Sequence, residues 1–314
     1  MGWVFDLIAQ VSTACAVLGL VVLAATIALR RWKCAIVLAV SIGLLVLPWA
    51  LRHFDRPAPT GDRQLTILVA NIYSRNDRID EVVAFLASSD VDVHVLIEPP
   101  APLMRTMRAD GELGREQTGY VRQRPDRGEF GWMVVRSSSL DVKLSEADFD
   151  VPAGILAVVV QRGDVRFGLV AVHVQSPRSA ARWHTAKSQI ADIERAVRLF
   201  EAQGLRVVIA GDLNSTPTGA VSRRLERACN VRRSAPIWGS SGTYPVRWPE
   251  LLRAAIDDVL LPDGMAVQAW SRVEVPGSDH SGVLVRIAID TSYSPSPRSG
   301  DAAGNPANRQ DPQP

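Results

Sequence analysis

Five short apolar runs in this chain each have, at one end, a polar residue that can bind a cation or a phosphate. Strand interiors in a layered protein are packed, while strand ends expose their side chains on a shared face. The pattern therefore predicts a sheet-based fold whose strand ends carry the chemistry. The polar residues follow one another as Asn71 in LVANIYS, Glu98 in VLIEPP, His173 in VAVHVQSP, Asp212 and Asn214 in VVIAGDLNSTP, and Asp279 with His280 in GSDHSGVLV.

The segment around the first two of these residues has the pattern of a β-α-β unit. A strand is predicted at 65–70, ending at Asn71, and another at 91–97, ending at Glu98. Apolar residues between them recur at helical spacing over 79–86. Since parallel strands in such a unit end at the same edge of a sheet, we expect Asn71 and Glu98 to lie close together.

The rest of the chain continues the alternation of strands and helices. A long helix is predicted at 180–202, and the turn at Gly163-Asp164 predicts a hairpin. Alternation of this kind is typical of a layered α/β domain. The further predicted strands are 131–136, 155–161, 166–174, 205–210, 256–261 and 283–289.

The order of the polar fragments and the residues in them resemble the motifs of the endonuclease/exonuclease/phosphatase family, the DNase I-like enzymes. The resemblance spans residues 64–289, and its most specific part is GDLN followed by Pro217 and a later SDH. A lone GDxN would be a weak signal, because Gly-Asp and Asn also build ordinary turns. The resemblance implies a four-layer α/β sandwich, with two mixed β-sheets flanked by helices, and a metal-dependent phosphoesterase activity.

Three of the residues are candidate metal ligands. Glu98 is the first, with Asn71 as a neutral oxygen donor and Asp279 as a further carboxylate. Oxygen ligands suit Mg²⁺, which often takes only one or two protein carboxylates beside substrate phosphate oxygens. Singly, Glu98 could be a solvated strand-terminal acid and Asn71 a turn former. Their joint occurrence favours a site for Mg²⁺ or Mn²⁺.

The GDLN segment supplies the candidate water-activating group. Asp212 can orient or deprotonate a water for in-line attack, and the Asn214 amide can hold phosphate or the nucleophile. If the local chain is extended, both side chains share one face while Leu213 points to the core. The alternative is an Asx-turn before Pro217.

The remaining candidates are two histidines and an aspartate. The resemblance implies that Asp257 orients His280, and a carboxylate so placed fixes the imidazole tautomer and raises its pKa. It also implies that His173 contacts the scissile phosphate as an acid or hydrogen-bond donor. At Asp258 this chain has a different residue type from the lipid-directed relatives. The alternation of side chains along a strand turns Asp258 away from Asp257.

The N-terminal 53 residues predict a membrane anchor. Two apolar stretches, at about 4–29 and 34–51, each approach the roughly 20 residues that span a bilayer. A cleavable signal peptide and two buried soluble helices fit less well, because the first stretch has no basic start and neither has a polar face. We therefore predict a transmembrane helical hairpin at 1–53, a linker at 54–63, a catalytic domain at 64–289 and a disordered tail at 290–314.

Charge predicts the orientation of this hairpin. Arg30, Arg31 and Lys33 make the connection basic, and the positive-inside tendency would place it in the cytoplasm. The protein is then a cell-membrane protein with two spans and an extracytoplasmic catalytic domain, although Arg52 and Arg56 beyond the second stretch weaken the contrast.

The anchor and the catalytic residues together predict a phosphorylated lipid as substrate, with the bilayer as partner. The combination resembles the VanJ-type bacterial branch, which implies polyprenyl pyrophosphate hydrolysis. A phospholipase or sphingomyelinase-like phosphodiesterase and a membrane-anchored DNase I-like nuclease are alternatives. The formal net charge of +2 does not favour nucleic acid. A non-catalytic binding protein is less consistent with a complete set of site residues.

Overall fold

The computed structural model describes residues 12–54, 61, 63–109, 119–123, 132–139, 141–152, 154–236 and 241–292. The predicted tail beyond residue 292 and linker residues 55–60 and 62 lie outside this range. The helices are α1 Ser12–Ala28, α2 Trp32–Phe54, α3 Ile79–Ser88, α4 Ala101–Ala109, α5 Ala180–Ala202 and α6 Ala220–Ala228. The first strands are β1 Arg63–Asn71, β2 Val93–Ile97, β3 Gly119–Gln123, β4 Trp132–Ser137, β5 Val142–Glu146 and β6 Ile155–Arg162. The others are β7 Val165–His173, β8 Val207–Asp212, β9 Val231–Arg233, β10 Asp257–Pro262, β11 Met265–Glu274 and β12 Ser281–Ile289.

These strands form two six-stranded sheets. Sheet A has the order β11-β12-β1-β2-β4-β3, and sheet B has the order β5-β6-β7-β8-β10-β9. Each sheet is mixed, because β1 and β2 run parallel in sheet A and β7 and β8 run parallel in sheet B, while their other pairings are antiparallel. The predicted pair of mixed sheets flanked by helices is confirmed.

Alternation along the strands builds the layers. One face of each sheet packs into a shared core that contains Ile67, Val95, Phe167 and Val285. Complete burial of a side chain such as Phe167 contributes about 1.5–3 kcal/mol relative to exposure. The opposite face of sheet A packs against α3 and α4, and that of sheet B against α5 and α6. The protein thus has four layers, with helices outside, the two sheets in the middle and helices on the other side.

The long helix α5 begins and ends where the sequence predicts. The Ser179 hydroxyl accepts a hydrogen bond from the Arg182 backbone N–H and caps the helix start. Ile193, Val197 and Phe200 recur at three- and four-residue spacing and are buried against sheet B. The helix thus covers β7 and β8, two strands that end in candidate site residues.

The N-terminal segment forms two helices, α1 and α2, joined at residues 29–31. Among the described residues, no helix combines the length and apolar character needed to span a membrane. The predicted transmembrane hairpin is therefore not supported.

Several elements were not predicted, each for a local reason. Helix α4 begins beside three prolines of the segment PPAP, which disguise a helix start although Pro is tolerated in a first turn. Strand β11 lies at the edge of sheet A with a bulge between Val267 and Ala269, so its apolar alternation is interrupted. Strand β9 has only three residues.

The strand register brings the candidate residues to one edge of the sandwich. In sheet A, Asn71 at the end of β1 pairs with Ile97, the residue before Glu98. In sheet B, Asp212 pairs with His173 on one side and with Asp257 on the other. Gly211 permits this close arrangement, because a Cβ at that position would lie 2.0 Å from the Val172 carbonyl oxygen.

Candidate active site

The centre of the site is Asp212, which is buried between the two sheets. Its Oδ2 accepts a hydrogen bond of 3.2 Å from Asn71 Nδ2, so a residue of sheet A contacts a residue of sheet B directly. His173 Nε2 lies 3.8 Å from the same oxygen. The site is therefore built by strands of both sheets.

His280 and Asp257 form a buried pair beside this centre. His280 Nδ1 lies 2.8 Å from Asp257 Oδ2, the pairing that the family resemblance implies. Burial alone would lower the pKa of His280, but the charge of Asp257 and its hydrogen bond raise that pKa to about 9. The imidazolium form is thus favoured at neutral pH, and Nε2 lies 3.9 Å from Asp279 Oδ1 at the rim.

The pKa of the Asp212 carboxyl group is raised above its ordinary value. Burial and the nearby charge of Asp257 raise the pKa of Asp212 to about 7, against the opposing effects of His280 and of the Asn214 backbone N–H. A carboxylate with a pKa near neutrality is suited to accept a proton from water.

The backbone at Asn214 differs from the extended chain considered from the sequence. Asn214 has a φ of 46°, in the left-handed region, and its backbone N–H donates to Asp212 Oδ1 at 2.8 Å. This is the Asx-turn that the sequence left open as the alternative, and it occurs together with the buried position of Asp212 in the site. Leu213 is fully buried as predicted. The Asn214 amide donates to the Val174 carbonyl at 2.9 Å.

Glu98 lies at the mouth of the site. Its side chain is 17% exposed, and Oε1 lies 3.4 Å from His173 Nε2. The Ser74 hydroxyl donates to Oε2 at 3.3 Å. Glu98 has a φ of 52°, a conformation that non-glycine residues rarely adopt and that is common at functional sites.

The other two predicted metal ligands are placed differently from each other. The Asn71 amide oxygen accepts the Tyr73 backbone N–H at 3.0 Å while its nitrogen donates to Asp212. Asp279 is 44% exposed at the rim, with Oδ1 3.9 Å from His280 Nε2. Asn71 thus lies inside the site in contact with Asp212, whereas Asp279 faces solvent.

The carboxylates grouped at the site fit a divalent cation. Carboxylate oxygens of Asp212 and Asp257 lie within 4.8 Å of each other and of a ring nitrogen of His280, and the charge of Glu98 also acts on Asp212. Asp257 Oδ1 is buried and has no hydrogen-bond partner among the described residues. Buried carboxylates of like charge, one with an unsatisfied oxygen, are the surroundings in which a hard cation relieves repulsion and desolvation.

Four residues that shape the site were not singled out from the sequence. Tyr244 stacks against His280, with ring centroids 4.6 Å apart. The Thr243 hydroxyl accepts the Asp257 backbone N–H at 3.3 Å. Ser278 donates to the Asn71 carbonyl at 2.6 Å and accepts the His280 backbone N–H at 3.0 Å. Arg178 reaches within 3.5 Å of the Tyr244 hydroxyl. The Gly-Thr-Tyr-Pro run before Asp257 was the available signal for Thr243 and Tyr244, and the SDH motif was the signal for Ser278.

Asp258 points away from Asp257, as alternation predicts. It pairs with Arg233 at 2.6 Å, and both side chains are buried. Arg233 also donates to the Ser215 carbonyl at 2.8 Å and to the Ala255 carbonyl at 3.0 Å. This network connects β9 and β10 to the segment that follows Asn214.

Together, the two-sheet sandwich and the buried Asp-His pair define a phosphoester hydrolase of the DNase I-like class. A profile of the Endonuclease/Exonuclease/phosphatase family matches residues 68–280, and the chain belongs to that family. The family's members are phosphoester hydrolases, so the chain is classed as an enzyme of this kind. No curated protein has significant sequence similarity to the chain.

Solved structures share the fold at low sequence identity. A conserved protein of unknown function from Enterococcus faecalis V583 is 16% identical with a TM-score of 0.56, covering 72% of this chain and 100% of its own. D. rerio TDP2, solved with a single-strand DNA product, is 14% identical with a TM-score of 0.55, covering 72% and 99%. The endonuclease domain of TRAS1, a telomere-specific non-LTR retrotransposon, is 15% identical with a TM-score of 0.54, covering 72% and 99%.

Proposed function

We propose that the chain hydrolyses a phosphate ester or phosphate anhydride by water attack, with Mg²⁺ as its metal ion. The observation that supports this most directly is the buried cluster of Asp212, Asp257 and His280, whose donor atoms lie within 4.8 Å of one another. Phosphoryl transfer depends mainly on positioning and on stabilising charge, and this cluster offers both.

Asp212 is the group that orients the attacking water and accepts its proton. Asn71 Nδ2 and the Asn214 backbone N–H hold its two oxygens from different sides. This fixed carboxylate needs little reorganisation when the water is activated. The raised pKa of Asp212, caused by burial and by Asp257, suits the acceptance of a proton near neutral pH.

His280 stabilises the charge that develops on the phosphoryl oxygens. Asp257 holds the imidazole through Nδ1, and Tyr244 covers one face of the ring. The positively charged ring then presents Nε2 to the substrate. His173, whose Nε2 lies 3.4 Å from Glu98 Oε1, is the second donor for the scissile phosphate.

Glu98 would hold the metal ion at the mouth of the site, with Asp279 at the rim and the Asn71 amide oxygen as further donors. Mg²⁺ bound there would neutralise charge on the phosphate. The exposed fraction of Glu98, 17%, leaves room for water and substrate oxygens, which Mg²⁺ retains in its coordination shell.

The substrate we propose is a lipid-linked phosphate or pyrophosphate, hydrolysed at the extracytoplasmic side of the cell membrane. The apolar helices α1 and α2 support a membrane location. Their basic connection at Arg30 and Arg31 supports the orientation.

A nuclease is the second candidate function. Structures with this fold include D. rerio TDP2 bound to a DNA product and the TRAS1 endonuclease domain. Arg178 at the rim, within 3.5 Å of the Tyr244 hydroxyl, could contact a backbone phosphate. A steep loss of activity with added salt would distinguish DNA from a lipid substrate.

The test is Mg²⁺-dependent hydrolysis of three substrates in parallel by the full chain. These are a polyprenyl pyrophosphate, a short-chain phospholipid and plasmid DNA, the last scored by nicking. Release from polyprenyl pyrophosphate alone supports the proposal, and release from the phospholipid alone makes the chain a phospholipase-like phosphodiesterase. Nicking alone makes it a nuclease, and no hydrolysis of any substrate contradicts the proposed chemistry.

A further inference from the structure

The exposed large apolar side chains of the described residues are confined to two places. The first is the hairpin of α1 and α2, and the second is the turn over residues 248–252. In the hairpin they are Leu20, Val21, Val22, Ile27, Leu29, Trp32, Ile36, Val37 and Val40. In the turn they are Trp248, Leu251 and Leu252, exposed by 49%, 60% and 44%. Scattered apolar exposure is ordinary on soluble proteins, whereas clustering of this kind indicates an interaction surface.

The two places are adjacent in space. Helix α1 lies against the short helical turn Glu250–Leu252. The apolar residues of the turn therefore extend the apolar surface of the hairpin. We refer to these two groups of residues together as the apolar surface.

The turn is held rigidly although its apolar side chains face outward. Arg253 donates to the carbonyl oxygens of Val246 and Trp248. Arg272 binds Glu250 at 2.7 Å and the Gly242 carbonyl at 3.1 Å. Such a preformed turn can present apolar groups to a partner without a large ordering cost.

The same segment connects the apolar surface to the catalytic histidine. Tyr244 stacks on His280, and the Val246 backbone N–H donates to the Asp279 carbonyl at 3.0 Å. Six residues or fewer separate these contacts from Trp248 and Leu251. A partner seated on the turn would thus lie beside the reacting groups.

Charge indicates which partner this is. Residues 12–54 contain Arg30, Arg31, Lys33 and Arg52 but no aspartate or glutamate. Arg247 beside Trp248 is exposed as well, and the one acid of the turn, Glu250, is paired with Arg272. Apolar groups flanked by cations are typical of a surface that lies on anionic lipid, with about 1 kcal/mol contributed per basic residue near the membrane.

We propose that the apolar surface docks on an anionic lipid bilayer and presents the active site to phosphorylated headgroups in that bilayer. The docking deepens, and rests on, the proposed phosphoesterase function.

Binding is measured by co-sedimentation of the full chain with vesicles of phosphatidylcholine alone or with about 30% phosphatidylglycerol. We expect binding to the anionic vesicles, and a loss of about tenfold or more in Arg30→Ser/Arg31→Ser. The matched control, Arg223→Ser/Arg227→Ser, removes the same charge from α6 and should bind as the wild type does. Equal binding to both vesicle types, or no binding, overturns the proposal. A concentration-dependent dimer without vesicle binding assigns the surface to a second copy and overturns it too.

The role of the turn is measured by comparing two substrates with the same headgroup. Trp248→Ser/Leu251→Ser should lower hydrolysis of a long-chain polyprenyl pyrophosphate in anionic vesicles at least tenfold, while hydrolysis of soluble geranyl pyrophosphate stays unchanged. Equal rates for variant and wild type in vesicles contradict the role of the turn. The binding assay needs no turnover, so vesicle binding without any hydrolysis would refute the proposed function and leave the docking surface standing.

Discussion

At the residue scale, the contact between Asp257 and His280 carries much of the proposed chemistry. Asp257→Asn keeps the shape but removes the charge that holds the imidazole at Nδ1, 2.8 Å away. We expect kcat to fall by about 10²-fold or more with a smaller change in KM, because the orienting partner of a catalytic histidine is lost. Steady-state kinetics with unchanged thermal unfolding checks this. A variant with normal kcat would show that the pair serves only to hold the fold.

His94 offers a residue-scale test that is separate from catalysis. Burial, and to a smaller extent the charge of Arg136, lower the pKa of His94 to about 3. Its ring lies 2.8 Å from the Ser89 hydroxyl. These contacts fit the structural, non-catalytic role that its position inside a strand predicts.

The lowered pKa of His94 makes the free energy of unfolding depend on pH. The unfolded chain binds a proton near pH 6.5, whereas the folded chain does not until about pH 3, so stability is full above pH 6.5 and falls as the pH falls below it. His94→Gln should lose about 2 kcal/mol less unfolding free energy than wild type between pH 7 and pH 5. Chemical denaturation at both pH values measures the difference. Exposed His184→Gln is the control, and identical slopes for His94→Gln and wild type would contradict the assignment.

At the element scale, the buried Arg233–Asp258 pair joins β9 and β10 to the loop after the GDLN strand. Arg233→Met leaves Asp258 buried without its counter-charge, and breaking such a pair costs about 3–5 kcal/mol. Arg233→Met/Asp258→Asn, which has no buried charge left, should recover at least half of that loss. Urea unfolding of both variants provides the measurement. A loss below about 1 kcal/mol in the single variant would show that the pair contributes little.

Only part of the site and of its supporting elements could be predicted from the sequence. Asn71, Glu98, His173 and Asp212 were predictable because each ends an apolar run, and parallel neighbours end at one sheet edge. Tyr244 was not, because its segment has no strand or helix periodicity and its contact with His280 depends on tertiary folding. The strands, too, were predicted only where the sequence carries a clear pattern. Core strands were predicted, whereas edge strand β11 and three-residue β9 lack the alternation that marks a strand.

At the scale of the whole molecule, the two sheets meet at a site that brings several carboxylates together. A bound cation should stabilise this arrangement, because the charges of Asp257 and Glu98 both act on the buried Asp212 carboxylate and a cation held at Glu98 would reduce that repulsion. With Mg²⁺ at ten times its Kd, we expect about 1.4 kcal/mol of stabilisation, or a Tm increase of about 3–5 °C. Glu98→Gln should reduce the increase, whereas Asp263→Asn, at the opposite end of β10, should not. A Tm that does not respond to Mg²⁺ would argue against the metal site.

The role of Asp212 is tested most directly by the Mg²⁺-dependent turnover of Asp212→Ala beside wild type and the control Asp263→Ala, a partly exposed acid that follows the other end of β10. All three proteins should unfold at the same temperature, which shows that the substitutions leave the fold intact. We expect phosphate release by wild type and Asp263→Ala that stops when Mg²⁺ is chelated, and a loss of about 10³-fold or more in Asp212→Ala. Near-normal release by folded Asp212→Ala would contradict the assignment of this buried carboxylate as the group that activates water.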